Sequence, residues 1–171
     1  MPHTGMRNTE FVEVKDAAYR YAASLLHNRE EAEDLVQDLY EKLWGRRLLV
    51  RKKGFVPLVM VSVRNMCMDI LRARRSEELS GREAEEEFLW EEEKEREDMA
   101  AIVGKLVERL PQREREAFHL RVVEGLDYDV VAQIVGVNES AARMACSRAR
   151  SKIKEELVKI MDYGVEREKD R

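Results

Sequence analysis

The stretch from Gly125 to Lys154 constrains this 171-residue chain more than any other. Asp127 is placed to cap a short helix with Val130, Val131 and Ile134 on one face, and Gly136 permits the sharp, left-handed turn that ends it. Val137 plugs that turn. Asn138 then caps a second helix, on which a rotation of about 100° per residue gathers Ala142, Cys146, Ala149 and Ile153 within roughly 60° of arc. The spacing predicts a helix-turn-helix with a narrow buried stripe.

The opposite face of that second helix carries Ser140, Arg143, Met144, Ser147, Arg148, Ser151 and Lys154, small, polar or basic residues on a helix slim enough for a major groove. From Asn138 to Lys154 there are five positives (Arg143, Arg148, Arg150, Lys152, Lys154) against Glu139, a balance of +4 in a chain of net charge -4. Such a face neutralises phosphates, and Arg143 or Arg148, near its leading half, has the fork for a bidentate contact to guanine. A merely solvated basic face is the plainer alternative. The short first helix, glycine turn and capped second helix together favour DNA.

Apolar residues recur at helical spacing throughout, and the Gly/Pro punctuation of hairpins is missing, so the expected fold is all-α. Charged residues make up 39% of the chain, yet its negative balance announces no nucleic-acid partner; only local patches can. Cys67 and Cys146 lie far apart in apolar helical settings and read as reduced core thiols. No stretch resembles a signal sequence or spans a bilayer, so a soluble, cytoplasmic protein without membrane insertion is expected.

In chain order, Met1 to Glu10 is polar and expected to fray. Phe11 to His27 reads as a helix with Val14, Ala18, Tyr21, Ala22 and Leu25 on its apolar side. Asn28 caps the next, whose first turns carry Glu30, Glu31 and Glu33, where the helix dipole favours negative charge. Ala32, Leu35, Val36, Leu39 and Leu43 form its buried face; Glu33, Asp34, Gln37, Asp38 and Glu41 form an acidic one ending beside Trp44.

Gly45 ends that helix, and Arg46, Arg47, Arg51, Lys52 and Lys53 make a basic loop before Gly54. A third helix begins near Pro57, with Val59, Val63, Met66, Cys67, Ile70 and Leu71 as its stripe. Arg64, Asn65, Arg72, Arg74 and Arg75 lie along or just beyond it, so loop and helix could present one continuous phosphate-binding surface.

Ser76 to Asp98 holds twelve acids against three bases, a balance of -9, and too few apolar residues for a core. It reads as an acidic linker between two small helical domains, 1–75 and 99–171. The second domain opens with a helix from Met99 to Leu110. Pro111 starts another, running to Glu124, and the tail beyond Ile160 is expected to be disordered.

No catalytic constellation is visible. His3, His27 and His119 are isolated from one another and from the cysteines, no glycine-rich phosphate loop or nucleophile elbow occurs, and no metal or cofactor is expected. His27 and His119 read as helix-surface or half-buried residues.

Four motifs resemble the bacterial RNA polymerase sigma factors of the extracytoplasmic-function (ECF) type, a compact class that keeps only the second and fourth conserved regions. They are Asn28-Arg29-Glu30-Glu31-Ala32-Glu33-Asp34-Leu35-Val36-Gln37-Asp38 with Leu43-Trp44; Arg64-Asn65 with Asp69-Ile70-Leu71-Arg72; Leu110-Pro111-Gln112-Arg113-Glu114-Arg115-Glu116; and Glu124-Gly125-Leu126-Asp127-Tyr128 through Ser147-Arg148-Ala149-Arg150. The likeness covers about Phe11 to Leu157. Leu58, Met60 and Val61 depart from it, standing in a stretch the family often writes Trp-Leu-Tyr-Arg.

The resemblance implies a non-catalytic subunit that binds core RNA polymerase and directs promoter-specific initiation. It implies that Asp34, Gln37, Asp38 and Trp44 contact core polymerase, and that the loop from Leu48 to Gly54, with Arg51, Lys52 and Lys53, captures a flipped base of the −10 element beside Arg64, Asn65, Arg72 and Arg75. Extruding a base costs a few kcal/mol of stacking, which such a cradle offsets. Asn138, Ser140, Arg143, Met144, Ser147 and Arg148 would then face the −35 element, with Arg150 and Lys154 on phosphates, and the linker would stand in for nucleic acid in the RNA path. The family also implies an anti-sigma factor as partner. Two rival readings remain: a helix-turn-helix regulator with an N-terminal sensing or dimerising domain, and a protein-interaction module whose acidic helix and linker are the functional surface.

Overall fold

The structure is a computed structural model that describes residues 4–45, 54–80 and 99–169; the side chains of 4–11, 13, 44–45 and 163–169 lie outside that description. The described residues are all-α, with no strand. The chain divides into two compact units, Met1–Trp90 and Glu91–Arg171.

Among the described residues, the first unit contains three helices: α1 (Thr4–Leu26), α2 (Arg29–Gly45) and α3 (Phe55–Leu79). Each contacts the other two. The stripe expected on α1 is buried throughout, as are Leu35, Val36 and Leu39 of α2 and Val59, Met60, Val63 and Cys67 of α3. Burying a side chain such as Leu25 or Val36 stabilises the unit by about 1.5–3 kcal/mol relative to leaving it in water. Between α1 and α2 the chain turns at His27, whose φ of 53° lies in the left-handed region and whose N–H donates to the Ala23 carbonyl at 3.0 Å. Asn28 caps α2 as expected, its Oδ1 accepting from the Glu31 N–H at 3.1 Å.

The helix ends differ from the sequence expectation in three places. α1 begins at Thr4 and not at Phe11, because polar residues such as Arg7 and Glu10 are good helix formers and their polarity does not stop a helix. α3 passes Arg75 and ends at Leu79; the Ser80 N–H closes it onto the Ser76 and Glu77 carbonyls. A change of charge at Ser76 is not a change of backbone preference. The last helix extends beyond Ile160 to Lys169 for the same reason, since a charged sequence without Pro need not leave the helix.

The second unit contains α4 (Met99–Glu108), α5 (Gln112–Phe118), a π-helical turn (His119–Val123), α6 (Tyr128–Val135) and α7 (Glu139–Lys169). Leu106, Leu110, Phe118, Ala149 and Ile153 form one buried cluster of its core, with Ile102, Val103, Val107 and Leu157 against them. The single helix expected from Pro111 to Glu124 is therefore two segments. The π turn ends with the Glu124 N–H on the His119 carbonyl at 3.0 Å. His119 itself is buried, more than a half-buried surface residue, and its Nε2 lies 3.1 Å from the Glu124 carboxylate. Cys67 and Cys146 are both buried and neither is in a disulfide, as expected.

Candidate nucleic-acid interface

The turn between α6 and α7 sets the direction of everything downstream. Gly136 adopts φ 77° and ψ 39°, a left-handed conformation that costs a residue with a Cβ about 1–2 kcal/mol. The N–H groups of Gly136 and Val137 both reach the Ala132 carbonyl, at 2.9 and 3.0 Å, closing α6. Two residues on, the Asn138 Oδ1 accepts from the Ala141 N–H at 2.7 Å and starts α7. Asp127 occupies the N-cap of α6 but makes no side-chain cap; its carboxylate turns to Arg121, 3.4 Å away, which competes for it.

With α7 so launched, Ala142, Cys146, Ala149 and Ile153 face inward, all buried, as their spacing predicts. Ser140, Arg143, Met144, Ser147, Arg148, Arg150 and Lys154 are exposed together with Asn138. The positive charge is divided unequally among them. Lys152 is tied to Glu114 of α5 at 2.7 Å, and Arg143 to Glu139, 3.1 Å from its Nε. Arg148, Arg150 and Lys154 have no ion pair or hydrogen bond among the described residues. Those three are the cations most open to phosphate or a base edge. A groove of about 540 Å³ runs beside Arg148, bordered by Gln112 and Arg113 of α5 on one side and Met144 and Arg148 of α7 on the other.

Tyr128, at the start of α6, was not among the expected site residues, yet it joins the two halves of the motif. The Arg143 guanidinium lies over its ring at 4.5 Å from the centroid and that of Arg121 at 5.0 Å. Hydrogen bonding to the Cys146 thiol, reinforced by burial, pushes its hydroxyl above the ordinary value of 10.0, while Arg150 and Arg121 pull the other way. Helical periodicity could not find this contact, because it joins two helices across a turn.

In the first unit Asp34, Gln37 and Asp38 are exposed on one face of α2. Gln37 reaches Glu41 at 3.5 Å, and neither aspartate has a partner among the described residues. Trp44 lies on α2, but its side chain is outside the described residues, as are Arg51, Lys52 and Lys53. On α3, Asn65, Arg72 and Arg75 are exposed and Arg64 is half-buried. Arg72 pairs with Asp69 at 2.8 Å. Arg74 turns away from that surface, donating to the Leu26 carbonyl at 3.1 Å and pairing with Glu31. Met60 is buried in the core and so offers nothing to a stacked base.

No group of three or more His, Cys, Asp or Glu side chains among the described residues could hold a metal, and no described helix is long and apolar enough to cross a membrane.

Residues 11–77 match the family model described as sigma-70 region 2, and residues 100–153 the one described as sigma-70, region 4. The chain belongs to the sigma-70 family of RNA polymerase sigma factors, in its extracytoplasmic-function type. It is 30% identical over 146 residues to a Xanthomonas campestris pv. campestris protein described as "Probable RNA polymerase sigma factor RfaY", an alignment covering 77% of this chain and 35% of that protein. It is 39% identical over 67 residues to the ECF RNA polymerase sigma factor SigD of Mycobacterium tuberculosis, covering 39% of this chain and 32% of SigD. The chain thus spans about a third of the length of the curated relatives it matches. Among solved structures it resembles the sigma factor RpoE of Bartonella quintana, in complex with the anti-sigma factor NepR, with TM-score 0.72 and 26% identity over 88% of this chain and 95% of that one.

Proposed function

We propose that this chain binds core RNA polymerase and directs promoter-specific initiation, with one DNA-reading surface on each unit and no chemistry of its own. The observation that carries the proposal is the presence, in order on one chain, of sigma-70 region 2 and region 4, the latter built around a capped, outward-facing basic helix. In this reading 1–75 and 99–171 are functional domains and the acidic segment 76–98 joins them. Arg143, Met144, Ser147 and Arg148, with Asn138 and Ser140 at the leading end of α7, read the −35 element; Arg150 and Lys154 hold phosphates. Arg51, Lys52, Lys53, Arg64, Asn65, Arg72 and Arg75 serve the −10 element. Asp34, Gln37, Asp38 and Trp44 meet core polymerase, and the carboxylates of Asp34 and Asp38, exposed and unpaired among the described residues, favour a basic partner surface. The chain acts in the cytoplasm, where its polymerase is.

The RpoE structure, solved with NepR, supports an anti-sigma factor as a further partner. Gel filtration of the chain with purified core polymerase tests the assignment. The wild type should co-elute and an Asp34→Lys, Asp38→Lys double variant should not, because like charges would face each other across the contact. Co-elution of both forms would remove α2 from the polymerase interface. Failure of the wild type to bind would favour the helix-turn-helix regulator.

A further inference from the structure

Two arginines on the outer face of α7 have the reach for a base, and their surroundings differ. Arg148 has no polar partner among the described residues. Arg143 is held twice: its Nε and Nη2 donate to the Glu139 carboxylate at 3.1 and 2.5 Å, and its guanidinium lies over the Tyr128 ring at 4.5 Å. Tyr128 is itself fixed, half-buried at the head of α6, with the Arg121 guanidinium over its ring at 5.0 Å. Arg121 in turn donates to the Leu126 carbonyl at 2.9 Å, so the ring sits against an anchored neighbour.

A free arginine side chain samples many rotamers, and bidentate readout of guanine needs one planar orientation of the fork. An aromatic face attracts a guanidinium and restricts its plane. Because Tyr128 belongs to α6 and not to α7, it can restrict Arg143 without itself entering the groove.

We infer that Tyr128 is a positioning residue for base readout, its ring orienting Arg143 for one base pair of the upstream promoter element. This rests on the placement of α7 in the major groove. It also separates the two arginines: Arg143 reads from a prepared position, and Arg148 takes its position on the DNA.

The test uses the full chain assembled with core polymerase and a promoter fragment selected by the wild-type assembly from a random library. Affinities are measured for every single base-pair change across the upstream element, with Arg143→Ala and Arg148→Ala marking the positions each arginine discriminates. Tyr128→Leu should reduce discrimination by about two- to fivefold at the Arg143 position and leave the Arg148 position unchanged. Tyr128→Phe, which keeps the ring, should discriminate as the wild type does. Tyr128→Leu combined with Arg143→Ala should be no worse than Arg143→Ala alone, since the two act through one contact. Thermal melting checks the fold, and Tyr128→Met, with apolar bulk and no aromatic face, repeats the measurement if the leucine variant does not fold.

Undiminished discrimination in Tyr128→Leu, a loss spread evenly over all positions, or additivity with Arg143→Ala would each overturn the inference while leaving α7 as the reading helix. If Arg143→Ala and Arg148→Ala both discriminate like the wild type, the placement of α7 and the role of Tyr128 fall together.

Discussion

Arg72 and Arg74 stand two positions apart on α3 and face opposite demands. Arg72 pairs with Asp69 at the surface, whereas Arg74 turns inward to the Leu26 carbonyl at the end of α1 and to Glu31 of α2, tying the three helices together. Both are arginines in a basic run, and charge patterning alone cannot separate them; the difference lies in which turn of α3 passes the end of α1. Tyr128 is a similar case, half-buried and in contact with two guanidiniums and a thiol. Because its hydroxyl is held above 10.0, the unfolded chain releases that proton first as pH rises, while the folded chain keeps it. Its contribution to stability is therefore complete below about pH 10 and lost as pH climbs through the folded value. An ultraviolet difference titration of the wild type against Tyr128→Phe should place this tyrosine above the ordinary range; a transition at or below it would mean that the Cys146 contact is not made in solution.

At the scale of elements, the helix-turn-helix depends on two residues between α6 and α7. Gly136→Ala introduces a Cβ that meets no atom within 4 Å, so its cost is backbone strain alone, about 1–2 kcal/mol. Asn138→Ala removes the α7 cap at a cost of about 1 kcal/mol. Each kcal/mol should lower the melting temperature of a unit this size by roughly 4–8 °C, measurable by circular dichroism. An unchanged melting temperature in both variants would contradict the turn geometry. These features were legible because caps, left-handed glycines and apolar stripes are local in sequence. The inward stripe of α7 and the acidic face of α2 came from periodicity for the same reason. Helix ends were less legible: Thr4, Leu79 and Lys169 lie in polar stretches where nothing marks a stop, and the π turn at His119–Val123 has no composition signature.

For the whole molecule, the telling property is the uneven distribution of charge. A chain of net charge -4 places +4 on the stretch from Asn138 to Lys154 and -9 on Ser76 to Asp98. The structure narrows the first figure, since Lys152 pairs with Glu114 and Arg143 with Glu139, leaving Arg148, Arg150 and Lys154 without an ion pair among the described residues. Affinity for DNA should therefore be modest for α7 alone and should depend on a second surface and on polymerase to hold the chain in place. Run-off transcription with purified core polymerase and a promoter library, with and without this chain, is the decisive test. Transcripts from a defined promoter class should arise only when the chain is added, and should be lost on replacing Arg143 and Arg148 together by alanine. Transcription no greater than that of core polymerase alone, or undiminished by the double replacement, would contradict the proposed function.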